Sequence, residues 1–208
     1  MKPLFIAFEG IDGAGTTTQS RILLSRLINS GVRASLTGEP SGGPVGVLIR
    51  QILRKRVVSQ TPSGETAQFS QEALALLFAA DRLDHIHCEI KPLVASGVSV
   101  ITDRYLLSSL AYQSLFCPPA WVKTINSLAP EPDITIFLEI PPEAAIKRIE
   151  ATRQGRDIYE NIETLREISS LYKRTVSDLK SDRIYTISGE KPRDEIADAV
   201  WEIVGAVS

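Results

Sequence analysis

Near the start of the chain an apolar run, Leu4–Phe8, passes directly into Glu9-Gly10-Ile11-Asp12-Gly13-Ala14-Gly15-Thr16-Thr17-Thr18, and a stretch with helical spacing follows. This segment constrains the fold more than any other. Glycines permit backbone angles and close approaches that a Cβ forbids, and consecutive N–H groups ahead of a helix N-terminus make a cradle for an anion. Such a turn needs a strand held in a sheet behind it and a helix packed in front, so the segment predicts an α/β layer structure. Taken alone, the same glycines would also suit a tight strand-to-helix turn that binds nothing.

The rest of the chain continues the alternation. Val32–Leu36, Val98–Thr102, Ile134–Leu138 and Ile184–Ile187 read as further strands, and most lack polar alternation, as in a parallel sheet covered on both faces. Leu23, Leu24, Leu27 and Ile28 share one helical face, and Ile196, Val200, Ile203 and Val204 share another. The prediction is a doubly wound, five-stranded parallel sheet flanked by helices. The 208 residues suit one domain at roughly 150 residues each. An apolar share of 43% against 23% charged is enough to bury a core. The cluster GEPSGGPVG at 38–46 and the stretch Ser59–Gln68 read as loops, and prolines bracket a short helix around Trp121–Leu128. Trp121 and Trp201 read as packing residues. Thr152–Glu160, polar and carrying Gly155 with two arginines, reads as a mobile surface loop.

Charge and cysteine content exclude several function classes. Twenty-three basic and 25 acidic residues leave a net charge of −2, which rules out a strongly basic nucleic-acid coat and gives no support to polybasic membrane docking. The densest basic run, Arg54-Lys55-Arg56, is short and reads as a solvated helix end. No stretch approaches the roughly 18 apolar residues of a membrane span, and the first residues lack a signal peptide's long apolar region. Cys88 and Cys117 are too few for a disulfide framework and read as reduced, buried thiols of a cytoplasmic protein. His85 and His87 would point to opposite sides of a helix, which argues against a shared metal; only His85 and Cys88 face the same way.

Two segments point to chemistry. Against the phosphate-loop pattern G-x-x-x-x-G-K-[ST], Gly10, Gly15 and Thr17 take the two glycines and the hydroxyl, which serves Mg²⁺. Thr16 occupies the lysine position. That lysine normally lies along the phosphates as a mobile charge, so its loss predicts weaker nucleotide binding, phosphoryl transfer or both. Further on, Asp103-Arg104-Tyr105 ends a strand, and ligands gather at such carboxyl ends. The guanidinium can hold a phosphate and the carboxylate a metal or water. Phe78 and Arg82, four apart on one helical face, can stack on a base and bond to its edge. Standing alone, these pieces would read as a surface ion pair and as a core Phe beside a solvated Arg.

Together, EGxDGxG, Glu39-Pro40 with Gly42-Gly43, Phe78-x-x-x-Arg82, DRYxxSSxAYQ and Pro132-Asp133-Ile134-Thr135 running into Leu138–Pro142 resemble the thymidylate (dTMP) kinases, chiefly of bacterial and archaeal type. The matches keep family order from Phe5 to about Gly189. The resemblance implies a P-loop NTPase-type fold, MgATP as donor, dTMP as acceptor, and a homodimer. It places the donor phosphates on the loop from Gly10 through Ile11, Asp12, Gly13, Ala14, Gly15 and Thr16 to Thr17. It puts thymine on Phe78 with Arg82, Ser109 and Gln113 at its edge, and the acceptor phosphate on Arg104 with Arg50 nearby. Asp12 would take the sugar 3′-hydroxyl, Tyr112 would crowd a 2′-hydroxyl, and Glu39 and Asp103 would join Thr17 around metal or water. Three cations of the family pattern are replaced, by Thr16, Gly38 and Ile158, and Arg153 and Arg156 in the lid are the expected compensation. Two other readings keep the same residues: a relative that binds nucleotides without catalysis, as a sensor or partner, and a kinase for another pyrimidine deoxynucleotide.

Overall fold

In the computed structural model, which describes residues 2–152 and 161–207, the first half of the chain runs β1 (Phe5–Glu9), α1 (Thr16–Asn29), β2 (Ala34–Gly38), α2 (Pro44–Leu53), β3 (Ser59–Gln60), β4 (Thr66–Ala67) and α3 (Gln71–His85). A π-helical turn, Ile86–Ile90, joins α3 to α4 (Lys91–Ala95), and β5 (Ser99–Asp103), α5 (Leu106–Tyr112) and α6 (Pro119–Ile125) follow. The remainder is β6 (Ile134–Glu139), α7 (Pro142–Thr152), α8 (Ile162–Leu179), β7 (Ile184–Ser188) and α9 (Arg193–Val207).

Five strands form one parallel sheet in the order β2-β5-β1-β6-β7. The predicted α/β architecture is therefore present. Alternate residues of β1 serve opposite faces: Leu4, Ile6 and Phe8 pack with Leu23, Leu27, Tyr172 and Val200, whereas Phe5 and Ala7 pack with Ile86, Ile90 and Tyr105. Both faces are covered, which is why the strand sequence shows no polar alternation. The register sets Phe8 and Gly38 each opposite Asp103. Their successors, Glu9, Glu39 and Arg104, therefore leave the sheet side by side at its carboxyl edge, the place where such sheets gather ligands.

Four local expectations need correction. β2 starts at Ala34 and runs to Gly38, because Thr37 and Gly38 pair with Thr102 and Asp103; the ladder, not hydrophobicity, sets its end. The Ser59–Gln68 stretch contains the short antiparallel pair β3–β4. The helix expected at Trp121–Leu128 is α6, which starts at Pro119, a residue suited to a first helical turn, and leaves Leu128 78% exposed. Ile28 is exposed, so the buried stripe of α1 is Leu23 and Leu27. Trp121 and Trp201 do pack on the core. Among the described residues no helix is long and apolar enough to cross a membrane. Arg153, Arg156 and nearly all of the expected lid lie outside the described residues.

Candidate active site

The loop between β1 and α1 is shaped by its glycines. Gly13 has φ +81°, and a Cβ there would stand 2.6 Å from the carbonyl oxygen of Ala145, so only glycine lets α7 pack this closely on the loop. Gly15, at φ 99°, caps α1, and Ala14 N–H donates to Ile11 O at 3.0 Å to close the turn. The cavity over this loop, about 590 Å³, is lined by residues 12–19 and by Arg104, Arg148, Lys191 and Arg193. Thr16 contributes a buried hydroxyl side chain where the pattern has lysine. Arg148, on α7, donates to Gly189 O at 2.8 Å and to Gly13 O at 3.5 Å.

Arg104 adopts the left-handed conformation, φ 71°, which is costly for a side chain this size. Hydrogen bonds hold the turn: Arg104 N–H donates to Phe8 O at 2.9 Å, and Tyr105 N–H to Glu9 Oε1 at 3.0 Å. The guanidinium donates to Gly10 O at 2.9 Å and to Asp12 Oδ1 at 2.7 Å, and lies 5.2 Å from the Tyr112 ring centroid. Tyr112 donates its hydroxyl to Asp12 Oδ2 at 3.1 Å. Burial opposes the Arg104 charge, but Tyr112, Asp12, Tyr172 and Asp103 together outweigh it and hold the group well above the ordinary guanidinium value. Burial likewise pushes the Tyr112 phenol up, so it stays a neutral donor.

Behind Arg104 lies Glu9, fully buried. Its Oε2 accepts from Ser108 Oγ at 2.6 Å and from the Tyr172 hydroxyl at 3.2 Å. Burial raises its pKa, with Ser108 and Arg104 pulling the other way.

A second cavity, about 370 Å³, opens beside the first. Phe78, Arg82, Ser109, Gln113 and Arg50 all line it, as the resemblance implies, together with Asp12, Glu39, Arg104 and Tyr112. Arg82 is not solvated: it is 1% exposed and donates through Nη2 to Glu39 Oε2 at 2.7 Å, Ser109 Oγ at 2.8 Å and Tyr105 O at 3.1 Å. Its Nη1 donates to Asn126 Oδ1. Arg82 Nε and Gln113 Oε1 are buried without a partner among the described residues. Arg50 donates to Pro40 O at 2.6 Å, beyond the cis Glu39–Pro40 bond. Asp12 and Arg104 are the two residues that line both cavities.

Thr17, Glu39 and Asp103 border one open depression. Thr17 donates its hydroxyl to Asp103 Oδ2, while Asp103 Oδ1 is buried and lacks a partner among the described residues. Glu39 is held differently, by Arg82 and by His85 Nδ1 at 3.4 Å. His85 Nε2 lies 2.8 Å from Thr37 Oγ1. Cys88 corrects an expectation: only Cys117 is buried, and Cys88 is exposed, donating to Asp84 Oδ1 at 3.3 Å. Several residues of the site were not singled out from sequence, among them Glu9, Ser108, Asn126, Arg148 and Tyr172. Glu9 and Ser108 sit inside motifs already recognised, so their position was a signal; Asn126 sits in a segment that gave none.

A sequence model of the family described as thymidylate kinase matches residues 8–200. The chain belongs to the thymidylate kinase family. Among its relatives, a protein of Aeropyrum pernix is 36% identical over 212 residues, covering 96% of this chain and 97% of that protein. One of Pyrococcus abyssi is 37% identical over 209 residues, covering 99% and 100%. One of Pyrobaculum calidifontis is 37% identical over 202 residues, covering 97% and 95%. All three carry the name thymidylate kinase. The family match spans the lining of both cavities.

Proposed function

We propose that this chain transfers the γ-phosphoryl group of ATP to dTMP, giving dTDP and ADP. The carrying observation is that Asp12 and Arg104 belong to both cavities. One cavity has a backbone cradle for phosphates, and the other has an aromatic side and unpaired polar atoms for a base. A phosphoryl group passing between them crosses at Arg104. No protein nucleophile is needed, because an acceptor phosphate oxygen attacks the γ-phosphorus directly while the ADP oxygen leaves in line; positioning and charge neutralisation do the rest.

In this reading Phe78 stacks on the base. Arg82 Nε–H then needs an acceptor on the base edge and Gln113 Oε1 needs a donor, which the 4-carbonyl and N3–H of thymine or uracil supply. Cytosine presents the opposite pair. Arg104 and Arg50 address the acceptor phosphate, Asp12 the sugar 3′-hydroxyl, and Tyr112 leaves no comfortable room for a 2′-hydroxyl. Asp103, with an unpaired carboxylate oxygen, and Thr17 offer the oxygen ligands a hard cation takes. These two would hold Mg²⁺, which when bound neutralises charge on the donor phosphates, and Glu39 would join through water. Arg153 and Arg156 would bring further charge on closure of a lid at about 152–160, compensating for Thr16.

The same reading makes residues 1–208 one kinase domain, working in the cytoplasm without nucleic-acid or membrane partners. It also makes the protein a homodimer, in keeping with Val47, Leu48 and Leu76, which α2 and α3 leave exposed. The test is ADP release from MgATP with dTMP, run beside dUMP, dCMP and AMP. Turnover fastest with dTMP is the expected result. Folded protein that binds ATP and dTMP but releases no ADP would instead be a sensor, and a faster rate with dUMP would name a different acceptor.

A further inference from the structure

The base reading depends on which nitrogen Arg82 offers to the acceptor. A guanidinium carries three nitrogens with N–H groups, and a buried one free to rotate would present different donors to different bases. Arg82 is held at both ends. Nη2 donates to Glu39, Ser109 and the Tyr105 carbonyl, and the group lies 5.3 Å from the Tyr105 ring centroid. Nη1 donates to Asn126 Oδ1, and of the three nitrogens Nε is the one buried without a partner among the described residues.

Asn126 is well built for that single task. It follows α6 as its C-cap, is 5% exposed, and donates through Nδ2 to Val122 O at 2.9 Å. That bond fixes which way the amide faces and commits Oδ1 to Arg82. Asn126 does not line the acceptor cavity, so any influence on the base must pass through the arginine.

We infer that Asn126 is a specificity-determining positioning residue: by holding Nη1 it reserves Arg82 Nε–H for a carbonyl on the base, so that a pyrimidine with a 4-carbonyl is taken over one with a 4-amine. The inference rests on the dTMP kinase reading. Without Oδ1 the guanidinium is anchored at one end only. It can then swing away from the base edge, and discrimination narrows because no donor is held at the 4-position and the 4-carbonyl loses its bond.

The experiment compares Asn126→Leu, which has similar volume and no acceptor, with Asn126→Asp, which keeps one. Affinities for dTMP and dCMP are measured by calorimetry, with steady-state kinetics alongside. In Asn126→Leu the dTMP-over-dCMP preference falls by roughly tenfold and the dTMP KM rises, whereas kcat at saturating dTMP and the ATP KM stay within about twofold. Asn126→Asp keeps the preference within about threefold of the parent even though it loses the Val122 bond and some stability. Asn126→Ser, too short to reach Nη1, gives the same reading if the leucine variant does not fold. A variant without the acceptor that lowers Tm yet keeps the full preference overturns the inference and leaves the dTMP reading standing. So does an aspartate variant that loses as much preference as the leucine one. A parent protein with no preference for dTMP overturns both.

Discussion

The two cavities differ in what builds them. The cavity proposed for the acceptor is lined by side chains already tied to one another: Arg82 has four protein acceptors, and Arg104 is anchored to Gly10 and Asp12. The cavity proposed for the donor is lined by residues 12–19, whose N–H groups would form the cradle, together with cations such as Arg148 and Lys191. Replacing lysine by Thr16 removes a charge from the donor side without altering any of the N–H groups that form the cradle. A comparable exchange on the acceptor side would leave several buried groups unpaired, at about 1–3 kcal/mol each.

The largest expected effect tests the residue shared by both cavities. Arg104→Lys cannot reproduce two divergent bonds with a single ammonium, and kcat should fall by roughly 10²–10³-fold, as when a charge-stabilising donor is removed. A loss of less than tenfold would mean that the junction is not where transfer occurs. Next, Phe78→Ala should raise the dTMP KM by roughly 5- to 150-fold, since stacking on a base is worth about 1–3 kcal/mol. The ATP KM should be unmoved, and a shift in both would erase the division between the cavities. On the donor side, Thr16→Lys should lower the ATP KM by about tenfold, the value of a charge-assisted bond to phosphate. An unchanged KM would indicate that the existing cations already suffice.

The smallest effect concerns Glu9. Burial raises its carboxyl above the ordinary 4.5. The resulting contribution to folding is complete below pH 4.5 and is lost as pH climbs through the raised value. Denaturant unfolding at a series of pH values should therefore show the parent losing stability relative to Glu9→Gln from pH 4.5 upward. A difference that does not change with pH would mean that the carboxyl is not desolvated.

Local pattern carried much of this. The strands, α1 and the phosphate loop announce themselves by runs and glycines within a few residues of one another, because backbone geometry and one-face burial are local requirements. The ends of β2 and α6 were misjudged where ladder pairing or a proline, not apolar content, fixed the boundary. The acceptor residues were legible because they sit in compact motifs, DRYxxSSxAYQ above all, though their partners were not. Standing alone, Phe78-x-x-x-Arg82 would read as a core Phe beside a solvated Arg; the structure buries Arg82.

By itself, then, the sequence determined the α/β frame, the glycine-rich loop with threonine at the lysine position and, through the family's motifs, most of the side chains that line the second cavity. Tertiary structure decided which of them pair. Asp12 meets Arg104 across 92 residues and Arg82 meets Asn126 across 44, and Glu9 reaches Tyr172 across 163. The first follows from the pairing of β1 with β5, which sets the segments after them side by side; the other two follow from where α3, α6 and α8 pack. Hydrogen bonds and ion pairs act over a few ångströms of space, and no spacing along the chain encodes that distance.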